Sequence, residues 1–256
     1  MRLYALTCGR FEIRKRMFIA DAEDGETRLQ IPIPAFLLTH PRGNVLFDTG
    51  LHAAGVADPW GRWGGLNKAL APLLRPEDHI CHQLALLEVK PQAIRYVVNS
   101  HLHHDHAGGN EAFPQATFLV QRAELAAIKD PHLVKTVGYL PADCALNVSY
   151  DLIDGEHDIF GDGLLVLTPT PGHTPGHQSL RVSLPSGQQM VLAGDACYLR
   201  ETLQHRRLPK VVWDKLMAVE TLKKLSQLQA TPGTLVVPGH DPVVWSELRL
   251  APEYYA

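Results

Sequence analysis

The segment 100–110 concentrates side chains that can bind metal ions. It contains His101, His103, Asp105 and His106 at the spacing H-x-H-x-D-H. In an extended loop, residues two apart point the same way, so His101 and His103 can hold one ion together. Asp105 and His106 follow on a turn and can bind a second ion close by. Imidazole nitrogen and carboxylate oxygen together suit zinc, manganese, iron or cobalt.

A purely structural role for these histidines is the competing interpretation. An isolated histidine is usually a packed or solvated side chain rather than a ligand. Here four histidines and one aspartate occupy the six positions 101–106 together with one leucine, directly after a predicted strand at 94–99. Packing four imidazoles so closely without a cation is unfavourable, which favours metal binding.

Three further segments place a candidate ligand just after a predicted strand. His173 lies in the run T-P-G-H-T-P-G-H at 170–177, Asp195 ends A-G-D, and His240 lies in P-G-H-D. Sites in α/β folds collect at the carboxyl ends of strands. Loops stiffened by glycine and proline hold ligands in place, as a metal site requires. We therefore expect these three side chains to join segment 101–106 in one site.

The elements that must position these residues alternate between strand and helix, which predicts an α/β fold. Strands are predicted at 3–6, 35–39, 44–48, 94–99, 117–121, 164–168, 179–184, 190–193 and 235–237. Helices are predicted at 79–89, at 123–129 and, most clearly, at 213–228. The apolar residues at helical spacing in the last of these are Trp213, Leu216, Met217, Leu225 and Leu228.

Composition limits the other functions open to the chain. Its 256 residues include 24 Lys+Arg and 27 Asp+Glu, a formal net charge of −3. This balance argues against a broad basic surface for nucleic acid. No apolar run approaches the 18 residues of a membrane-spanning helix, so no membrane partner is expected. The four cysteines are scattered without C-x-x-C spacing, and no export signal is evident, which favours a cytoplasmic location.

The order H-x-H-x-D-H, then G-H, then D, then G-H resembles the metallo-β-lactamase-fold superfamily. The resemblance implies a four-layer αβ/βα sandwich, a single metallo-hydrolase domain over 1–256 and a site for two zinc ions, with Mn, Fe or Co as alternatives. The residues implied for the first ion are His101, His103 and His173, and those for the second are Asp105, His106 and His240. Asp195 would bridge the two ions.

Within that superfamily the chain is similar to the N-acyl homoserine lactonases, the quorum-quenching lactonases. The similarity rests on Tyr198, which completes D-x-x-Y after Asp195, and on the phrase S-H-L-H-x-D-H-x-G-x-N from Ser100 to Asn110. It implies that a metal-bridging hydroxide opens the ring of an N-acyl homoserine lactone or a related γ-lactone. Tyr198 would hydrogen-bond the lactone carbonyl, and Asp105 would pass a proton to the leaving alkoxide. The alternative role for Tyr198 is that of a core aromatic residue.

Residues next to the implied ligands have less direct roles. His104 is out of phase with His101 and His103, so we expect it to line a substrate cleft rather than bind metal. His177 and Asp48 are expected to be structural or to support the ligands from behind. Asp241 is expected to brace the loop that carries His240.

Segment 51–78 is apolar and interrupted by glycine and proline, with one short helix expected. Trp60, Trp63, Leu66 and Leu70 can form a wall or lid for an acyl chain, joined by Met17 and Phe18. The same residues can form a homodimer interface, since exposed apolar patches mark partners. The two interpretations are compatible, and the sequence favours neither.

Three other activities compete with the lactonase. A glyoxalase-II-like thioesterase shares the ligand set, but such enzymes carry a C-terminal extension with basic residues. The residues after His240 include only one basic residue, Arg249. A pyridoxolactonase or an organophosphate hydrolase of the same fold shares the motifs as well. A non-catalytic metal-binding or interaction module is disfavoured because all seven ligand positions are filled.

Overall fold

The computed structural model describes residues 1–144 and 148–256, which form twelve strands and ten α-helices. The strands are β1 (Arg2–Arg14), β2 (Arg28–Thr39), β3 (Asn44–Phe47), β4 (Ala71–Leu73), β5 (Ile94–Val98), β6 (Thr117–Gln121), β7 (Ser149–Ile153), β8 (His157–Asp158), β9 (Leu165–Pro169), β10 (Gln178–Ser183), β11 (Gln189–Leu192) and β12 (Thr234–Val237). The helices are α1 (Ala54–Ala57), α2 (Pro59–Trp63), α3 (Ile80–Ala85), α4 (His104–Ala107), α5 (Arg122–Ala127), α6 (Pro131–Leu133), α7 (Pro141–Cys144), α8 (Arg200–His205), α9 (Lys215–Gln229) and α10 (Pro242–Glu247).

The first sheet has seven strands in the order β4-β1-β2-β3-β5-β6-β7. The strands β1, β2 and β3 are antiparallel neighbours, and the turn between β2 and β3 closes with a hydrogen bond from the Gly43 N–H to the His40 carbonyl. From β3 onward, β3, β5, β6 and β7 run parallel. Parallel strands end at the same edge of a sheet, so the loops after β3 and β5 begin side by side.

The second sheet has five strands in the order β12-β11-β10-β9-β8. Its strands pair antiparallel except β11 and β12, which are parallel. Three of the predicted ligands follow these strands: His173 comes after β9, Asp195 after β11 and His240 after β12. The two sheets therefore each deliver ligand-bearing loops to the site.

Each sheet buries both faces, as the period of two in its strands requires. On the first sheet, Leu37 and Leu46 pack in one cluster with Ile80 of α3. Their neighbours Leu38 and Val45 belong to a second cluster, which lies between the sheets.

The outer face of the second sheet is covered in the same way. Val191 and Val236 pack there against Leu222 and Leu225 of α9. The layers are thus helix, sheet, sheet and helix, which confirms the predicted α/β class and four-layer sandwich.

Most predicted strands match observed ones within two residues, and so does the most clearly predicted helix, α9. The helix expected at 213–228 begins at Lys215, because Asp214 caps it by accepting from the Leu216 and Met217 N–H groups. Trp213 precedes the helix, and Leu216 is 81% exposed. The buried residues are Thr221, Leu222 and Leu225, and Leu228 packs against the same cluster, so the C-terminal half of the predicted apolar face is buried and its N-terminal half is exposed.

The four cysteines are all free thiols, three of them buried. Within residues 1–144 and 148–256, no helix has the length and apolarity needed to cross a membrane.

Candidate metal centre and adjacent cavity

Three imidazoles from two loops converge on one point. His103 Nδ1 lies 2.9 Å from His101 Nε2 and 2.9 Å from His173 Nε2. Asp195 Oδ2 completes the group at 3.7 Å from His101 Nε2 and 3.4 Å from His173 Nε2. All four side chains are buried, and one ligand atom from each lies within 4.8 Å of the others. The arrangement is that of a four-ligand metal site.

A second group of ligand atoms adjoins the first. His106 Nε2 lies 3.6 Å and His240 Nε2 3.7 Å from Asp105 Oδ2. The other oxygen of Asp195, Oδ1, lies 3.2 Å from His106 Nε2 and 3.0 Å from His240 Nε2. Asp195 therefore turns one carboxylate oxygen to each group, the geometry expected of a bridging ligand.

The state of the donor atoms fits a pair of divalent ions. The buried atoms His106 Nε2 and Asp195 Oδ1 have no hydrogen-bond partner among the described residues, although buried polar groups are normally paired. Burial lowers the pKa of His101 and of His173 well below the usual value, which keeps both rings neutral with a free lone pair. Nitrogen and carboxylate oxygen are donors that zinc, manganese, iron and cobalt accept.

The second group carries more negative charge than the first. Burial lowers the pKa of His106, but the carboxylates of Asp195, Asp105 and Asp48 outweigh burial and raise it well above the usual value. The pKa of His240 is also raised, because Asp195 and Asp105 outweigh its burial. Without an ion these imidazoles hold protons, which a bound cation must displace.

Asp48 fixes His106 from behind. Its Oδ2 accepts from His106 Nδ1 at 2.9 Å and from the Ser100 hydroxyl at 2.8 Å, and its Oδ1 accepts the Ser100 N–H at 2.7 Å. Asp48 follows β3 with φ of 61°, a left-handed conformation that aspartate tolerates better than most residues. The contact leaves His106 Nε2 aimed at the site, a supporting role of the kind expected for Asp48.

Backbone carbonyls orient two further ligands. His103 Nε2 donates to the Val137 carbonyl at 3.1 Å, and His240 Nδ1 donates to the Pro32 carbonyl at 2.8 Å. Each contact fixes which ring nitrogen faces the site. Sequence reasoning missed Val137 and Pro32, because a backbone carbonyl leaves no signature in the residue type.

Tyr198 borders the first group of ligands. Its hydroxyl lies 3.0 Å from His173 Nδ1, and its ring stacks on Phe18 with the centroids 4.2 Å apart. When His173 uses Nε2 as a ligand, its Nδ1–H donates to the Tyr198 oxygen, and the phenolic hydrogen is directed to another acceptor, such as the Asp195 carboxylate. Burial, reinforced by the charges of Asp195 and Asp105, raises the pKa of Tyr198 well above the usual value, so the hydroxyl remains a donor.

An apolar cavity opens over both groups. Its lining combines site residues with Phe11, Met17, Phe18, Leu66, Leu70 and Val211. Of the six predicted substrate-binding residues, the structure brings four to this lining: Met17, Phe18, His104 and Tyr198. Trp63 is buried just outside the lining, with its ring centroid 5.9 Å from that of His104. Trp60 is 57% exposed and does not line the cavity.

His104 is buried between aromatic rings and belongs to neither group of ligands. Its ring centroid lies 5.6 Å from that of Phe11, and its Nδ1 has no hydrogen-bond partner among the described residues. Burial lowers its pKa, so the ring is neutral.

His177 and Asp241 have supporting contacts. His177 pairs through Nδ1 with the Thr170 hydroxyl at 2.8 Å. Asp241 caps α10 and accepts the Arg200 N–H, which braces the loop after His240.

Comparison with known proteins gives a consistent family. The family model of the metallo-beta-lactamase superfamily matches residues 30–240. The chain is 35% identical over 261 residues to the N-acyl homoserine lactonase AttM of Rhizobium johnstonii, covering 100% of this chain and 99% of the relative. It is 30% identical over 257 residues to the N-acyl homoserine lactonase AiiA of Bacillus thuringiensis subsp. kurstaki, covering 99% and 98%.

Solved structures agree with these sequence matches. One is an N-acyl homoserine lactone hydrolase with the product N-hexanoyl-L-homoserine bound at its catalytic metal center. It superimposes with a TM-score of 0.88 and 29% identity, covering 99% of this chain and 98% of that chain. By both sequence and structure, the chain belongs to the N-acyl homoserine lactonase family of the metallo-beta-lactamase superfamily.

Proposed function

We propose that this protein is a metal-dependent lactonase that opens the ring of N-acyl homoserine lactones. The observation that carries the proposal is the geometry of seven buried ligand side chains in two adjoining groups beneath an apolar cavity. A cavity of this kind suits a substrate with a small polar head and an apolar acyl tail. The relatives named N-acyl homoserine lactonase support the same activity.

In the proposed site, the first ion is held by His101, His103 and His173 and the second by Asp105, His106 and His240, with Asp195 shared. Two zinc ions are the proposed cofactor, since the donors are nitrogen and oxygen. When bound, such ions polarise a carbonyl and lower the pKa of water to about 7, which provides hydroxide at neutral pH.

The chain's own side chains supply binding and proton transfer. Tyr198 donates its phenolic hydrogen to the lactone carbonyl oxygen, where negative charge develops on attack. Asp105 is ionised, because His106, His104 and His240 outweigh its burial and lower its pKa. As a carboxylate it can take up a proton and deliver it to the ring oxygen that leaves. Phe11, Phe18 and Leu70 exclude water and pack against the acyl chain.

The proposal is tested by proton release on ring opening. The panel contains homoserine lactones with short and long acyl chains, γ-butyrolactone and a glutathione thioester, each assayed with purified, metal-stripped and zinc-restored protein. We expect opening of the acyl homoserine lactones that disappears on stripping and returns with zinc. Thioester cleavage with inert lactones would instead show a thioesterase.

Two histidine variants distinguish the loss of a metal ligand from the general effect of replacing a histidine. His101→Ala removes a first-group ligand, whereas His82→Ala removes an exposed imidazole on α3. We expect the first variant to lose at least about 100-fold in kcat/KM and the second to keep the wild-type value. Equal activity of the two variants would contradict the proposed site.

A further inference from the structure

Glu124 is a buried carboxylate that the proposed chemistry does not use. It lies in α5 and is 1% exposed. Its Oε1 accepts the Leu102 N–H at 3.0 Å and the Tyr139 hydroxyl at 2.8 Å. Its Oε2 accepts the Thr174 hydroxyl at 2.7 Å and the Gly176 N–H at 3.0 Å. A buried carboxylate is costly, and here it is stabilised by four neutral donors.

Three of the four donors belong to segments that contain a first-group histidine. Leu102 separates His101 from His103 in the chain. Thr174 follows His173, and Gly176 lies two residues beyond it.

The remaining donor belongs to the wall behind His103. The ring centroid of Tyr139 lies 5.1 Å from that of His103, and Val137, two residues earlier, accepts from His103 Nε2 at 3.1 Å. One carboxylate thus contacts the loop after β5, the loop after β9 and the segment that orients His103.

The packing around Glu124 leaves little freedom for this arrangement to shift. A Cβ at Gly176 would lie 2.2 Å from the backbone nitrogen of Glu124, so the loop after His173 is held directly against α5. One backbone hydrogen bond, from the Gln178 N–H to the Ser100 carbonyl at 2.8 Å, also joins the two loops. That bond joins the bases of the loops, whereas Glu124 acts beside the ligands themselves.

We propose that Glu124 is a positioning residue that sets the spacing of the three imidazoles of the first metal site by joining the loops of both sheets. The inference rests on the proposed metal centre. The role requires a side chain at position 124 that accepts four hydrogen bonds. A carboxylate has the four lone pairs for this, and an amide does not. In Glu124→Gln the amide group turns a donor toward two existing donors, so at least one loop loses its contact.

The first test measures zinc binding by Glu124→Gln with chelator competition. Partners behind metal ligands typically contribute 10- to 100-fold to affinity, so we expect one of the two zinc ions, that of the first site, to bind more weakly by about that factor while the other is retained. The absorption spectrum of the cobalt-substituted variant should change as well, since it reports ligand geometry. Asp78→Asn is the matched control, because Asp78 is a buried carboxylate bound to Arg75 outside the site.

Two milder variants apply if Glu124→Gln does not fold. Tyr139→Phe and Thr174→Val each remove one donor and nearly preserve shape. We expect each to weaken one zinc about 3- to 10-fold, below the roughly 10- to 150-fold that one hydrogen bond to a charged group contributes, because three donors to Glu124 remain. The kcat for a lactone should fall with KM nearly unchanged, because the cavity walls are untouched.

Two zinc ions bound to Glu124→Gln with wild-type affinity, or a loss no larger than that of Asp78→Asn, would overturn the role of Glu124. If Glu124→Gln is insoluble, wild-type zinc affinity in both Tyr139→Phe and Thr174→Val would overturn the role of Glu124. The role of Glu124 can be rejected independently of the proposed activity, since zinc binding is measured without a lactone. A wild-type protein that binds two zinc ions but opens no lactone would reject only the activity.

Discussion

The surroundings of Tyr198 orient its hydroxyl and keep it protonated. His173 occupies its oxygen as acceptor, and burial with two nearby carboxylates raises its pKa, so the phenolic hydrogen remains available. Removing one donor to a developing oxyanion typically costs about 10²–10³ in rate. We therefore expect Tyr198→Phe to lower kcat for an acyl homoserine lactone by about 100-fold while both zinc ions stay bound. Steady-state kinetics and metal analysis of the same sample measure both quantities.

The control for Tyr198→Phe is Tyr150→Phe. Tyr150 is partly buried and donates to the Cys144 carbonyl at 3.3 Å, outside the site. It should keep wild-type kcat. Full turnover by Tyr198→Phe would remove the hydroxyl from the reaction and leave the residue a packing role against Phe18.

His104 places a polar atom in an otherwise apolar wall. Its unpaired Nδ1 is unfavourable in the free protein, and a substrate amide offers a partner after a small ring rotation. One such hydrogen bond contributes about 0.5–1.5 kcal/mol, or about 2- to 12-fold. We expect His104→Phe to lower kcat/KM for N-octanoyl homoserine lactone by that factor relative to an alkyl γ-lactone without an amide. An equal change for both substrates would show that the ring acts by shape alone.

At the scale of elements, the strands were predictable and the connections were not. Residues 117–121 form a short run with three consecutive apolar residues between Thr117 and Gln121, and β6 has those bounds. Helix α9 begins two residues later than predicted because Asp214 caps it while Trp213 donates its N–H to the His173 carbonyl. That contact joins residues 40 positions apart, and no local pattern reports it.

Segment 51–78 likewise depends on a distant partner. It contains two short α-helices, α1 and α2, rather than the one expected. Asp143, 2% exposed, accepts from Trp63 Nε1 at 3.2 Å and from Arg62 Nε at 3.0 Å, which fixes α2 against α7. The composition of the segment predicted an apolar wall, but the residue that holds it lies 80 positions away.

Loss of this anchor should affect acyl-chain binding rather than the metal ions. In Asp143→Asn, Arg62 loses its charged partner, and Trp63 loses the carboxylate oxygen that accepts its indole N–H. The wall behind His104 is then held less firmly. We expect KM to rise about 3- to 10-fold for a long-chain lactone, with normal zinc content. This is below the roughly 10- to 150-fold of a hydrogen bond to a charged group, because asparagine keeps one acceptor oxygen. The measurement is KM across acyl chains of about four to twelve carbons. A uniform change for γ-butyrolactone as well would argue against α2 as part of the acyl site.

For the whole molecule, the ligands were easier to identify than their supports. Segment 101–106 is dense in donors, and His173, Asp195 and His240 each follow a strand, so residue type and position identify them. Glu124 had no comparable signal, because a single glutamate in a predicted helix is normally solvent-exposed. Its role became visible only when the fold brought segments 100–102 and 174–176 to the same carboxylate.

The two groups of ligands join the two sheets, so the ions should contribute to the stability of the entire chain. His101, His103, Asp105 and His106 follow the first sheet, and the remaining three ligands follow the second. Without ions, buried ligand atoms such as the carboxylate oxygen Asp195 Oδ1 have no hydrogen-bond partner among the described residues. Free zinc at about 1,000 times Kd stabilises the native state by about 4 kcal/mol.

That stabilisation corresponds to roughly 2–4 °C in Tm per kcal/mol for a chain of this size, so stripping should lower Tm by about 8–16 °C. Calorimetry before stripping, after it and after zinc return measures the shift. His101→Ala should show a smaller response to added zinc, since it lacks one ligand of the first group, whereas His82→Ala should respond as the wild type does. A Tm that does not change on stripping would mean that the sheets are held together by their shared apolar core alone, with the ions bound to loops already fixed in place.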